Sequence, residues 1–455
     1  MAGKREKFGG RLAVILAMAG SAIGLGNIWR FPYMVGEHGG AAFVFIYILA
    51  TIFISLPVFL AEVMIGRRSH TNARDAFARL SRHHPFWRAA GYLTILIPTL
   101  IASYYSVIGG WSVEYFVQSC GLTFVKTAPE QVSGLFAPFV SSTWTPVLMH
   151  LVFLAACVGV VAGGVKSGIE KFSKVSLPVL FVLIIFILGY SVALPGAGAG
   201  VRYLLHPDWS ELTPRTFAYA MGQSFFSLSL GMGAIITYGS YVSKRENILV
   251  TSSGTAVSDL LFAILAGFAI MPAVFAAGIE PGAGPGLIFE TLPYIFAHMG
   301  ASAPWLSAFV AVLFFVTIMF AAFTSAISMF EVGVAYLVEQ RGLSRRRATL
   351  LIFLGTWMLG ALCSLSFGPL SDVKLFGLSI FSFCDTLTSN FLMTFGGLLF
   401  VLFVGWKMDR KVVRDEFTCG GTARFNGVVF DAFWFLLRYI APPAIVIIFL
   451  TNFFV

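Results

Sequence analysis

Two stretches of this chain place hydroxyl and amide side chains beside clustered glycines, inside otherwise apolar sequence. One reads Gly20-Ser-Ala-Ile-Gly-Leu-Gly-Asn-Ile-Trp-Arg30 and the other Ser227-Leu-Ser-Leu-Gly-Met-Gly-Ala234. Gly20, Gly24 and Gly26 each disfavour helix by about 1 kcal/mol relative to alanine. A helix broken at such a point offers free N–H groups and a positive dipole end, which suit a carboxylate. Its freed carbonyls suit Na⁺ or an ammonium group. Asn27 and Ser227 add side-chain oxygens at the two breaks. A zwitterionic amino acid needs both kinds of partner close together. Glycines can also serve only close helix packing. Two breaks in corresponding apolar segments point instead to a binding site at membrane depth.

Further candidates extend the same chemistry. Ala321-Ala-Phe-Thr-Ser325 carries adjacent hydroxyls. Alone, such hydroxyls bond back to their own helical turn. Beside freed carbonyls, Thr324 and Ser325 become candidate Na⁺ ligands. Tyr104 and Tyr105 lie far enough from Arg88 to sit near a midplane, where a substrate carboxylate would partner a phenol. Charges inside apolar spans are costly and default to function. Arg30 and Asp385 could pair beyond the first break. Glu62 and Glu331 are read as acceptors for broken-helix backbone. Asp259 is a further acid within a span. His150 is the only histidine inside a predicted span, and no nucleophile–base or metal constellation is visible, so an enzyme is not expected.

These residues can meet only if membrane helices position them. Of 455 residues, 58% are hydrophobic and 11% charged, against about 25% charged in a soluble domain. An all-α polytopic membrane protein follows. At ~20 residues per span, eleven spans are predicted: 11–36, 41–66, 89–119, 145–163, 171–194, 215–240, 248–276, 304–338, 347–364, 377–406 and 427–453. The net charge of +9 sits in short clusters between apolar runs, the pattern of cytoplasmic loops and not of a nucleic-acid surface. With the N-terminus inside, nearly every basic cluster is inside and the C-terminus is outside. The first and sixth spans then run in opposite directions, each with a break. Two inverted repeats of five helices are expected, spans 1–5 in residues 1–194 and spans 6–10 in 195–406, with a peripheral eleventh span in 407–455. The five cysteines show no metal spacing.

The run from Arg11 through Gly20-Ser-Ala-Ile-Gly-Leu-Gly-Asn-Ile-Trp-Arg-Phe-Pro32 resembles the neurotransmitter:sodium symporter family, specifically its bacterial amino-acid members. So do Gly222-Gln-Ser-Phe-Phe-Ser-Leu-Ser-Leu-Gly-Met-Gly-Ala-Ile-Ile-Thr-Tyr238 and Thr324-Ser325, and the resemblance covers nearly the whole chain. It implies a LeuT-like 5+5 inverted repeat with broken helices 1 and 6. By this resemblance, a substrate carboxylate meets the N–H groups of Leu25 and Gly26 and the hydroxyl of Tyr105. The ammonium meets carbonyls of Ala22, Phe226 and Ser227 and the hydroxyl of Ser229. Ile101, Tyr105, Phe226, Met232, Ser325 and Met329 line the side-chain pocket. One Na⁺ site uses the Ala22 carbonyl, Asn27, Ser227 and a span-7 side chain, which is Asp259 in one register and Ser258 in another. The second uses carbonyls of Gly20, Ile23 and Ala321 with Thr324 and Ser325. Arg30 and Asp385 form an outer gate. Arg5 and Glu339 form an inner one, with Phe8 nearby. Gly168 and Pro178 match a Gly-x9-Pro pattern tied to inner unwinding.

The resulting expectation is a sodium-coupled symporter of neutral hydrophobic L-amino acids, aromatic ones included, in the cell inner membrane. Tyr47, Gln223 and Ser227 match a chloride cluster of relatives, but Asp259 adds a fixed carboxylate there, so no chloride requirement is expected. A proton-coupled transporter of the related broken-helix fold is the rival reading. A channel fits poorly, because no ring of carbonyls or charges is visible.

Overall fold

The computed structural model describes residues 6–278 and 287–451. The first apolar run breaks where its glycines fall. Helix α1 (Arg11–Ala22) stops there, and α2 (Gly26–Glu37) leaves at 56° to it. Helices α3 (Ala41–Ser69), α4 (Pro85–Cys120), α5 (Thr145–Ala162) and α6 (Val165–Val192) follow. The second break separates α7 (Pro214–Ser227) from α8 (Ala234–Gly239). Then come α9 (Ile248–Ala276), α10 (Pro304–Arg341), α11 (Arg345–Leu365), α12 (Ile380–Lys407) and α13 (Arg424–Thr451). Among the described residues nine helices are each long and apolar enough to cross a membrane, and α1 with α2 forms a tenth, bent span. The α7–α8 pair occupies the place of the remaining expected span. Neither half is long enough alone, because the break removes the middle.

Local chemistry explains most boundaries. Pro214 opens α7 behind a reciprocal cap made by Thr213 and Thr216. Asn247 caps α9 by accepting from the N–H groups of Leu249 at 3.0 Å and Val250 at 3.3 Å. Helix α6 begins earlier than the expected residue 171. Glu6 accepts from the Val165 and Lys166 N–H groups at 2.6 and 3.1 Å and so stabilises an extra turn. Helix α12 begins later than residue 377. A short hairpin of β1 (Lys374–Leu375) and β2 (Leu378–Ser379), pairing Leu375 with Leu378, takes up those residues.

Helices α4, α5, α10 and α11 pack on one another as one block. The broken helices form the other wall, α7 and α8 against α3, and α1 against α9. Helices α5, α6 and α11 each bury only 33% of their apolar window. Their outward residues, such as Val182 and Met358, form an apolar face suited to lipid. The arginine-rich connections share one end of the molecule, where Arg68 meets Asp415 and the Asn72 N–H donates to Glu339. The candidate site residues lie between this basic end and the opposite one.

Candidate functional site

At the first break, side chains replace the lost helical partners. Leu25 N–H donates to the Tyr105 hydroxyl at 3.1 Å, and Gly24 N–H donates to Asn27 Oδ1 at 3.1 Å. Gln223 Nε2 donates to the Gly26 carbonyl at 2.9 Å. The Ile23 carbonyl accepts from Thr324 at 3.1 Å and from Ser325 at 3.3 Å. The Ser21 carbonyl accepts from Ser229 at 2.9 Å and from Ser325 at 3.2 Å. These partners come from α2, α4, α7, α10 and the second break itself. A ligand can displace such bonds without unwinding any helix.

Two oxygen clusters flank the break. In the first, Asn27 Nδ2 donates to Asp259 Oδ1 at 2.8 Å and to Ser227 Oγ at 3.0 Å. Ser227 Oγ donates to Asp259 Oδ2 at 2.7 Å, and the Tyr47 hydroxyl donates to Ser227 Oγ at 3.3 Å. All four residues are buried. Among the described residues Asp259 has no ion-pair partner. An ionised carboxylate buried in this way is costly without a cation, so the cluster favours a small cation or a proton. Ser258, the alternative register, donates to Gly254 of its own helix at 2.8 Å. In the second cluster Thr324 Oγ1 also reaches the Ala321 carbonyl at 3.0 Å. Gly20 backs onto it, since a Cβ there would lie 3.6 Å from Thr324 Cβ.

Two cavities meet at Tyr105 and Phe226, which line both. The smaller, about 20 Å³, is lined by Ala22, Gly24, Gly26, Ile101, Phe226, Ser227, Ser229, Met232, Ser325 and Met329, together with Tyr105 and Met393. Every residue expected around a substrate lines it except Leu25, which lines the larger cavity. The larger, about 410 Å³, is a vestibule holding Arg30, Tyr104 and Asp385. Arg30 and Asp385 do not pair. The Arg30 guanidinium lies 4.8 Å above the Phe226 ring, and Asp385 accepts from Ser389 one turn on at 2.9 Å. Each has a local partner.

The basic end is closed differently. Phe8 is buried edge-on against Tyr238 and Tyr241, at 5.8 and 5.9 Å between ring centres. Gly9 N–H donates to Glu170 at 2.9 Å. Arg5 lies outside the described residues, and its expected partner Glu339 accepts from Asn72 Nδ2 at 3.0 Å. Glu62 bonds broken-helix backbone as expected, accepting from Gly231 N–H at 2.7 Å. Glu331 does not. It pairs with Arg345 and accepts from the Tyr241 hydroxyl at 2.7 Å, because the start of α11 brings a guanidinium within reach.

Sequence reasoning missed Met393 and the carbonyl of Ser21. For Met393 the run Met393-Thr-Phe-Gly-Gly397 was a usable signal, since paired glycines in a span mark close helix approach. Nothing in sequence marks one carbonyl among many.

The model of the sodium:neurotransmitter symporter family matches residues 5–129 and 139–455. The chain is 39% identical over 448 residues to the uncharacterized sodium-dependent transporter YhdH of Bacillus subtilis, covering 98% of this chain and 97% of that one. It is 29% identical over 388 residues to the sodium- and chloride-dependent taurine transporter of Bos taurus, covering 74% of this chain and 61% of that one. The crystal structure of MhsT in complex with L-phenylalanine matches with a TM-score of 0.89 and 40% identity, covering 99% of this chain and 100% of that one.

Proposed function

The chain belongs to the sodium:neurotransmitter symporter family, and from that premise we propose that it couples Na⁺ entry to uptake of neutral hydrophobic L-amino acids by alternating access. At the coarser level it is a sodium-dependent membrane transporter with a LeuT-like fold and not an enzyme. One observation carries the finer reading. An apolar pocket lined, among the described residues, by no charged side chain adjoins two oxygen clusters at one helix break. A charged substrate side chain would be desolvated there without a partner. Methionines at 232 and 329 can repack around leucine, phenylalanine, tyrosine or tryptophan. The similar MhsT structure holds L-phenylalanine, which supports the same class here.

Two Na⁺ ions belong to this reading. One is held by Asn27, Ser227, Asp259 and the Ala22 carbonyl. The other is held by Thr324, Ser325 and carbonyls of Gly20, Ile23 and Ala321. Asp259 supplies beside Tyr47 and Gln223 the negative charge that an anion would otherwise bring, so uptake needs no chloride. Arg30 with Asp385 gates the vestibule, and Arg5 with Glu339 gates the basic end. That end faces the cytoplasm of the cell inner membrane, with the N-terminus inside and the C-terminus outside. Residues 1–194 and 195–406 are the inverted repeats. Asp259 also favours a second reading, proton coupling, because its carboxylate can take a proton where the first reading places Na⁺.

Displacement of labelled L-leucine from the purified protein by each of the twenty amino acids tests the substrate class. Leucine, phenylalanine, tyrosine and tryptophan compete in Na⁺, and binding disappears when choline replaces it. Glutamate or lysine competing best would overturn the reading.

A further inference from the structure

The pocket beside the first break is too small for the substrate assigned to it. About 20 Å³ holds roughly one water, not a leucine or tryptophan side chain. Some part of its wall must retreat, and the packing around that wall limits which part can.

Tyr105 and Ser325 are held by the bonds they make to the break. Ile101 is buried on α4, within the four-helix block. Met232 and Met329 can reshape within the pocket, but they line only the small cavity, so neither has open volume to retreat into. Phe226 borders both cavities as Tyr105 does, but its ring lies against Gly26 and under the Arg30 guanidinium. Met393 is the flexible side chain at that border. It lines the small pocket on one side and the 410 Å³ vestibule on the other. A flexible thioether side chain there has open volume to move into.

The backbone beneath Met393 cannot move in its place. A Cβ at Gly231 would collide with the Met393 carbonyl oxygen, and a Cβ at Gly396 would collide with the Gly231 carbonyl oxygen. The second break and α12 therefore meet backbone to backbone. Gly231 N–H is also tied to Glu62 at 2.7 Å. Compliance at this wall resides in the Met393 side chain.

We propose that Met393 is a specificity-determining residue, a movable wall that sets how large a substrate side chain the pocket accepts. The proposal rests on the hydrophobic amino-acid reading above. A small substrate keeps Met393 in the pocket and gains its contact. A large one displaces the side chain toward the vestibule. Shortening the residue removes contact from leucine and leaves room for tryptophan. Enlarging it excludes tryptophan first.

Affinities of wild type, Met393→Ala, Met393→Leu and Met393→Phe for L-valine, L-leucine, L-phenylalanine and L-tryptophan in Na⁺ test this. One or two methylenes of lost contact are worth on the order of tenfold. Met393→Ala is expected to weaken leucine about tenfold while leaving tryptophan within about threefold. Met393→Phe should reverse that order, and Met393→Leu should restore the wild-type ranking. The ratio between substrates is the readout, because a merely misfolded variant lowers all of them together. Equal changes for every substrate, or none, would overturn the proposal while leaving the reading of function intact. Wild type that binds none of the four would instead overturn that reading, and this proposal with it.

Discussion

The two helix breaks share their glycine chemistry and differ in what replaces the lost backbone bonds. The first is held by exchangeable partners, the hydroxyls of Tyr105, Ser229, Thr324 and Ser325 and the amides of Asn27 and Gln223. The second is held by the buried carboxylate of Glu62 and by backbone contact with α12 at Met393 and Gly396. Similar sequence therefore serves two ends. One break is a surface whose bonds a ligand can take over. The other is a rigid turn that presents Ser229 and Met232 to that surface.

The largest expected effect separates the breaks by their glycines. At Gly231 a side chain faces a positive φ, costing about 1–3 kcal/mol, as well as a collision with the Met393 carbonyl oxygen. Gly231→Ala is expected to yield little folded protein by size-exclusion chromatography in detergent. At Gly24 the atoms nearest a Cβ belong to side chains, the Ser325 hydroxyl, the Tyr105 hydroxyl at 2.8 Å and the Ser325 Cβ at 3.1 Å. Gly24→Ala should remain folded and lose substrate binding. The contrast between the breaks fails if Gly231→Ala folds normally and Gly24→Ala does not.

A smaller effect probes the exchangeable bonds alone. Thr324→Val with Ser325→Ala removes the two hydroxyls that reach the Ile23 carbonyl. Na⁺-stimulated leucine binding should disappear while the melting temperature shifts by only a few degrees, as expected for losing about 1 kcal/mol per hydrogen bond. Unchanged Na⁺ dependence would remove these residues from the ion site.

The smallest effect concerns Asp259. Asp259→Asn keeps the size of the group and removes its charge. Half-saturation by Na⁺ should rise about tenfold, or uptake should begin to respond to chloride, whereas wild-type uptake is the same in chloride and gluconate. Wild-type uptake that collapses in gluconate would contradict the role given to this carboxylate.

The breaks were legible because glycine, asparagine and serine inside apolar spans stand out by composition alone, and the residues around them followed. Asp259 and Ser258 were not separable, since neighbouring helical positions differ by about 100° in direction and only packing shows which one turns toward Asn27. The span boundaries were close, but the Lys374–Ser379 hairpin and the extra turn held by Glu6 depend on contacts distant in sequence. Arg30 and Asp385 line one vestibule, each with a local partner. Sequence names the charges, while the width of the space between them depends on how the helices are arranged.

Uptake of labelled L-phenylalanine into proteoliposomes, driven in turn by a Na⁺ gradient and by a proton gradient, tests the central claim most directly. Accumulation above equilibrium with the Na⁺ gradient alone, abolished by choline and insensitive to the pH difference, is the predicted result. Accumulation driven by the proton gradient in the absence of Na⁺ would contradict it.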